Sequence, residues 1–190
     1  MNEFEKMRNG EMYRFDDSEV LASVEHANAL CAKLQIISAY DMSYRSIIED
    51  LIPSIPSSSC VTPPFHCDHG HGIHLGENVF INYNATFLDG GYITIGSRTK
   101  IGPNCQIMTP NHPIDYMERR QPVERCLPVN IGEDCWLGNG VIVCPGVTIG
   151  NRCVIGAGSV VVKDIPADCL AVGNPCRVIR NFIKKTNKWL

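Results

Sequence analysis

The stretch VNIGEDCWLGNGVIVCPGVTIG, residues 129–150, decides the fold. It sets an aliphatic side chain at Ile131, Leu137, Val143 and Ile149, one every six residues, and the series continues at Ile155 and Val161. Two residues before each stands Val129, Cys135, Val141, Val147, Cys153 or Ser159. An earlier series has the same spacing at Leu75, Ile81 and Phe87, slips by two at Gly90-Gly91, and resumes at Ile95, Ile101 and Ile107. A period of six fits neither a helix face nor an alternating strand. It is the signature of a hexapeptide-repeat parallel β-helix, in which each repeat supplies a short strand and a turn, and three repeats close one coil of a triangular prism. The aliphatic residue points inward, the small residue fits the corner, and Gly or Asn takes the turn geometry with positive φ. Such a solenoid needs its open ends capped.

Outside the repeat the chain changes character. Residues 1–55 form a helical segment by pattern. Asp17 and Ser18 are a start signal, followed at helical spacing by Val20, Leu21, Val24, Ala27, Leu30 and Leu34. A second helix is expected from Asp41 or Ser43 to Pro53. A Pro/Ser-rich connection, PSIPSSSCVTPP, leads into the β-helix of residues 56–178, and residues 179–190 are expected as a short helical tail. The 190 residues carry a formal charge of −3, which lacks the basic footprint of a nucleic-acid partner. No apolar run reaches the length of a membrane span. The first thirty residues are charged and lack the apolar core of a leader peptide, so a cytoplasmic location is expected. The ten cysteines are accordingly expected as reduced thiols that pack as small hydrophobes.

The repeat is interrupted once. Residues 110–127, PNHPIDYMERRQPVERCL, carry no hexad pattern, yet the register resumes at Val129. This is a loop ejected from one corner of the prism, stiffened by three prolines. His112 is the last histidine of the chain, and Pro113 forces it into an extended backbone. A neutral imidazole there suits removal of a hydroxyl proton at neutral pH. From the residues alone, a histidine that packs or hydrogen-bonds within its own loop is the favoured alternative.

Several stretches together carry a resemblance: FINYNATFLD (80–89), the NHP loop, VNIGEDCWLGNGVIVCPGVTIG, VIGAGSVVVKDIP (154–166), AVGNPCRVIR (171–180) and the leading MRNGEMYRFDDSEV. The chain resembles the maltose/galactoside O-acetyltransferase family over nearly its whole length. The resemblance implies a left-handed β-helix, a homotrimer with active sites between subunits, and acetyl-CoA as donor. It implies direct transfer to a hydroxyl of a sugar or sugar-like acceptor, with His112 as general base. Asn82 then lies between acceptor and thioester. Asp68, Asp89 and Asp17 are implied in acceptor binding. Asn139, Ala157, Val162 and Lys163 line the pantetheine slot, and Arg177 and Arg180 meet the nucleotide phosphates. Trp136 is read as a packing residue beside the site, Asn84 as a turn residue, and Glu124 as a candidate to orient His112. Two departures bear on the acceptor: Gly90 stands where galactoside-acetylating members carry a second acid, and Arg14 stands where the family has an N-terminal acid, Asp16 and Asp17 following later.

FHCDHGHGIH (65–74) gathers His66, Cys67, His69, His71 and His74, a possible metal set by residue type. The family has no metal there, and none is expected. A hydroxylated antibiotic or oligosaccharide as acceptor, and a noncatalytic β-helix scaffold, remain the alternatives.

Overall fold

The computed structural model describes residues 1–183 and 188–189. Three sheets form the faces of a β-solenoid. The first stacks Cys60–Val61, Phe80–Ile81, Lys100–Ile101, Trp136–Leu137, Val154–Ile155 and Cys169–Val172 in parallel. The second stacks Phe65–Cys67, Ala85–Leu88, Gln106–Met108, Ile142–Val143 and Val160–Val161. The third stacks Ile73–Leu75, Ile93–Ile95, Val129–Ile131 and Thr148–Ile149. The register puts repeat position over repeat position: Ile81 on Ile101, Leu137 and Ile155, all buried. Each rung removes its inward aliphatic side chain from water, which contributes roughly 1.5–3 kcal/mol per residue.

Turn geometry is fixed at two corners by left-handed residues. Between the third and first faces these are Asn78, Arg98, Asp134, Arg152 and Asp168, with φ of 57°, 62°, 56°, 60° and 61°. Between the first and second faces they are Asn84, Asn104, Gly140 and Gly158. Asn, Asp and Gly suit that conformation, whereas Arg98 and Arg152 there are unexpected, because a left-handed backbone costs an ordinary L-residue about 1 kcal/mol. The first corner offsets this with ion pairs between coils: Arg98 Nε to Asp134 Oδ1 at 2.7 Å and Arg152 Nε to Asp168 Oδ1 at 2.5 Å.

All ten cysteines are free thiols. In the column before the first face, Ser59 and Thr99 donate their hydroxyls to the carbonyls of Gly76 and Gly132. Cys135 and Cys153 occupy equivalent places and donate to the carbonyls of Gly150 and Pro166, each at 3.1 Å. The thiols therefore double as buried apolar filling and as weak donors to corner carbonyls.

Helices close the start of the solenoid. α1 (Glu3–Arg8) carries a capping box between Asn2 and Glu5, which the sequence reading did not anticipate. α2 (Ser18–Leu34) begins at Asp17, whose carboxylate accepts from the amides of Glu19 and Val20. α3 (Tyr44–Leu51) follows Ser43. Leu30, Leu34, Ile48 and Leu51 join the solenoid core, and the Tyr44 hydroxyl donates to the Val61 carbonyl at 2.8 Å. No helix among the described residues is long and apolar enough to cross a membrane.

The other end corrects the expected helical tail. Arg177–Ile183 and Lys188–Trp189 are strands; residues 184–187 and 190 of that expected helix lie outside the described residues. The reason is the uncovered edge of Cys169–Val172: Arg177–Ile183 pairs with it antiparallel and satisfies its free backbone groups.

The ejected loop is ordered. Leu127 N donates to Thr109 O at 2.8 Å, so the loop leaves and returns at one point. Pro110–Asn111 pairs antiparallel with Val123–Cys126, and α4 (Tyr116–Arg119), capped by Asp115, turns the chain between them. Tyr13–Arg14 adds a third strand on the far side of Val123–Cys126.

Candidate active site

That small sheet positions His112. Its register sets Tyr13 opposite Glu124. The buried Tyr13 phenol donates a short hydrogen bond to Glu124 Oε1, and Glu124 Oε2 lies 3.3 Å from His112 Nε2. Phe15 meets the imidazole edge-to-face at 6.2 Å. Two residues on from Glu124, the Cys126 thiol lies 3.6 Å from the Tyr13 oxygen, and burial pushes its pKa up to about 11. Burial and the neighbouring acids likewise raise the Tyr13 phenol, which stays a neutral donor. A carboxylate facing one ring nitrogen of His112 leaves the other free to take a proton.

A cavity of about 270 Å³ opens beside the imidazole. His112, Glu124, Tyr13, Asp68 and His69 give its polar lining, while Phe15, Val20 and Val24 give an apolar one. Asp68 has its pKa raised to about 7, chiefly by burial and then by the charges of Asp89 and Glu124.

Asp89, implied above in acceptor binding, is not among the residues lining this cavity. It is fully buried. Its Oδ1 accepts from the amides of His69 and Gly70, and its Oδ2 from that of Gly72, at 2.8–3.1 Å. Asp89 thus fixes the turn that carries Asp68 rather than facing an acceptor. Asp17 is likewise engaged as the α2 cap and is not among the cavity's lining residues. Gly90 has a physical reason: a side chain there would run into the Cys126 thiol. The buried cysteine and the absent second acid are one packing arrangement.

Asn82 lies elsewhere. Its Oδ1 accepts from the Tyr83 amide at 2.8 Å, and it lines a cavity of about 500 Å³ with Tyr40, Phe80 and Tyr83. Asn139 and Ala157 line a slot of about 380 Å³ with Trp136, Gly138, Gly156 and Leu170. A Cβ at Gly138 or Gly156 would clash with the next coil, so this wall is built from bare backbone. Trp136 stands beside the slot as expected, but as a lining side chain that is 57% exposed in the single chain rather than packed. Asn82 and Asn139 follow strands of the first face two rungs apart, on the same prism edge. Val162 and Lys163 are exposed after Val160–Val161, and Arg177 and Arg180 are exposed on the terminal strand. Asn84 takes its expected turn conformation.

Within one chain, then, the structure brings together His112, Glu124 and Asp68. It leaves Asn82 and the Asn139 slot on another edge. Among the described residues no group of three His, Cys, Asp or Glu could hold a metal ion. Of the histidine-rich stretch, His66 meets Gln35, His69 and His71 both meet Ser23, and His74 stacks on Tyr92.

A family model of bacterial transferase hexapeptide, six repeats, matches residues 128–163. A maltose O-acetyltransferase from Clostridium difficile 630 is 42% identical, with a TM-score of 0.93 over 97% of this chain and 99% of its own. The chain belongs to the maltose/galactoside family of hexapeptide-repeat acetyltransferases. This acetyltransferase-family chain is also 38% identical to a hexapeptide-repeat acetyltransferase of Vibrio cholerae solved with acetyl-coenzyme A (TM-score 0.89, covering 97% and 100% of the two chains). A galactoside acetyltransferase solved with coenzyme A is 32% identical (TM-score 0.91, 97% and 93%).

Sequence reasoning missed Tyr13, Phe15, Val20 and Val24 as parts of this acetyltransferase-family site. Tyr13 sits in a two-residue strand, too short to show any period. Val20 and Val24 were legible only as one face of α2.

Proposed function

We propose that the chain transfers the acetyl group of acetyl-CoA to a hydroxyl of a sugar or sugar-like acceptor, with His112 as general base. The observation that carries this reading is the chain from Tyr13 through Glu124 to His112, beside a cavity that also holds Asp68. Tyr13 anchors Glu124, and Glu124 holds the imidazole at a set angle. The free ring nitrogen takes the hydroxyl proton, and the oxygen so activated attacks the thioester carbonyl. The proton then passes from His112 to the departing thiolate. No covalent acyl-enzyme is needed, and the ten cysteines stay outside the chemistry. A carboxyl such as Asp68 meets acceptor hydroxyls, while Phe15, Val20 and Val24 offer an apolar surface to the carbon face of a sugar ring.

For the donor, the bare backbone at Gly138 and Gly156 beside Asn139 and Ala157 leaves a slot thin enough for a pantetheine arm. Val162 and Lys163 extend it, and the guanidinium forks of Arg177 and Arg180 suit the phosphates. The acceptor cavity and this slot lie on different prism edges of one chain. We therefore read the working enzyme as a homotrimer, in which a neighbour brings Asn82 and the slot to His112. The arm's tip supports this: Ile114 is 97% exposed, with Tyr116 and Met117 also uncovered.

The test is acetyl-CoA consumption, followed by mass spectrometry, over a panel of maltose, galactosides, oligosaccharides and hydroxylated antibiotics. Turnover by the wild type that is lost in His112→Ala, with acetyl-CoA binding intact, supports the mechanism. Wild-type turnover in His112→Ala removes it, and a chain that neither binds nor consumes acetyl-CoA favours a scaffold.

A further inference from the structure

The histidine-rich turn has chemistry that the proposed transfer does not use. His71 Nδ1 lies 3.0 Å from Arg8 Nη2. His71 Nε2 lies 3.0 Å from Ser23 Oγ, and the same hydroxyl is 2.9 Å from His69 Nδ1. Phe4 stacks on His71, meets His69 edge-on, and lies under the Arg8 guanidinium. Arg8 Nη1 donates in turn to the carbonyls of Asp89 and Gly90, so its position is fixed from behind.

Direction follows from the donor inventory. Arginine has no acceptor, so His71 Nδ1 must accept, and its proton sits on Nε2. That proton goes to the Ser23 oxygen. The serine hydroxyl is then free to donate to His69 Nδ1, which leaves the His69 proton on Nε2. Among the described residues His69 Nε2 makes no hydrogen bond, and since no sealed side-chain nitrogen lacks a partner, that atom keeps some access to solvent. His69 lines the cavity beside Asp68, and Nε2 is its ring nitrogen not already engaged.

We propose that His69 is a further acceptor-binding residue, whose Nε2–H donates to an acceptor oxygen and whose tautomer is set by the one-way relay from Arg8 through His71 and Ser23. The proposal rests on the reading of this cavity as the acceptor site. It gives the cavity a fixed donor beside carboxyl acceptors, so that a hydroxyl bound there can accept from His69 while donating to Asp68. Burial, opposed by the attraction of Asp89, lowers the His69 pKa to about 4, and the donor stays neutral across the working range. The relay also explains two histidines flanking Gly70 without a metal: they hold α1 and α2 to the turn and aim one N–H.

Long-range proton–nitrogen correlation on the nitrogen-labelled full chain reads the tautomer directly. A neutral His69 with its proton on Nε2 at pH 7 is expected; an Nδ1–H tautomer or a charged ring overturns the relay. On the best acceptor of the panel above, His69→Leu raises the acceptor KM about tenfold, with the acetyl-CoA KM unchanged, as for one lost hydrogen bond. His69→Gln, which returns an N–H donor, recovers most of that loss, and Ser23→Ala gives about a threefold rise. An unchanged acceptor KM in His69→Leu removes the binding role. If the wild type acetylates no acceptor, it is the proposed function that fails, and the relay is still decided by the nitrogen spectra.

Discussion

The solenoid wall and the arm that leaves it are built on opposite principles. In the wall each side chain is one copy of a position used on the rungs above and below, and the load is spread over the column Ile81, Ile101, Leu137, Ile155. In the arm each residue is used once. Tyr13, Glu124 and His112 form a single line of contacts, with no second copy behind any of them. On the proposed mechanism the arm carries the general base, while the wall carries stability together with the donor slot, so changes in the wall's buried columns should scarcely register in the arm.

The sharpest break is His112→Ala, expected to lower kcat/KM by about a thousandfold, within the range for a lost general base, with the thermal midpoint unmoved. Next comes Ile93→Ala on the third face. Its buried side chain leaves a cavity, and denaturant titration should show about 3 kcal/mol of lost stability. Turnover per folded molecule should hold below the transition, and a matching loss of turnover would merge the two regions.

Tyr13→Phe ranks third. It removes one hydrogen bond to Glu124, so kcat should fall about tenfold. The acetyl-CoA KM should not change, and in a Glu124→Gln background the same substitution should add little. Full additivity would show that Tyr13 acts by another route.

A smaller effect is set by pH. The Asp68 carboxyl ionises near 7 in the folded chain against an ordinary value of 3.8. Between those values unfolding releases a proton, so rising pH disfavours the folded state until the effect levels off above 7. Asp68→Asn should thus raise the thermal midpoint more at pH 8 than at pH 4; the reverse order would contradict a buried, destabilised carboxylate. Smallest of all is Arg152→Ala at the charged corner, a slight drop in midpoint that shrinks in high salt.

The same contrast governs what could be read from the sequence. The wall was legible because a period of six recurs at Ile131, Leu137, Val143 and Ile149, and every copy confirms the last. Asp17 marked its helix start by local chemistry alone, whereas the second start, expected at Asp41 or Ser43, falls after Ser43 without a side-chain cap. His112 stood out as a lone histidine between prolines, and Glu124 as a candidate partner for it. Tyr13 did not, since its role depends on pairing with a strand 111 residues away. Asp89 misled because its burial under the 69–72 turn is a tertiary fact. The tail misled because RVIRNF suits a helix or a strand, and the open edge of Cys169–Val172 settled the choice.

The left-handed corner residues carry a rule of parity. Going up the axis the signs run Arg98, Asp134, Arg152, Asp168. Excising the coil that holds Asp134 sets Arg98 against Arg152, and excising the one that holds Arg152 sets Asp134 against Asp168. Removing both restores Arg98 opposite Asp168. Between Arg98 and Asp168, coils can be lost or duplicated in pairs without setting like charges together, whereas losing a single interior coil sets like charges side by side.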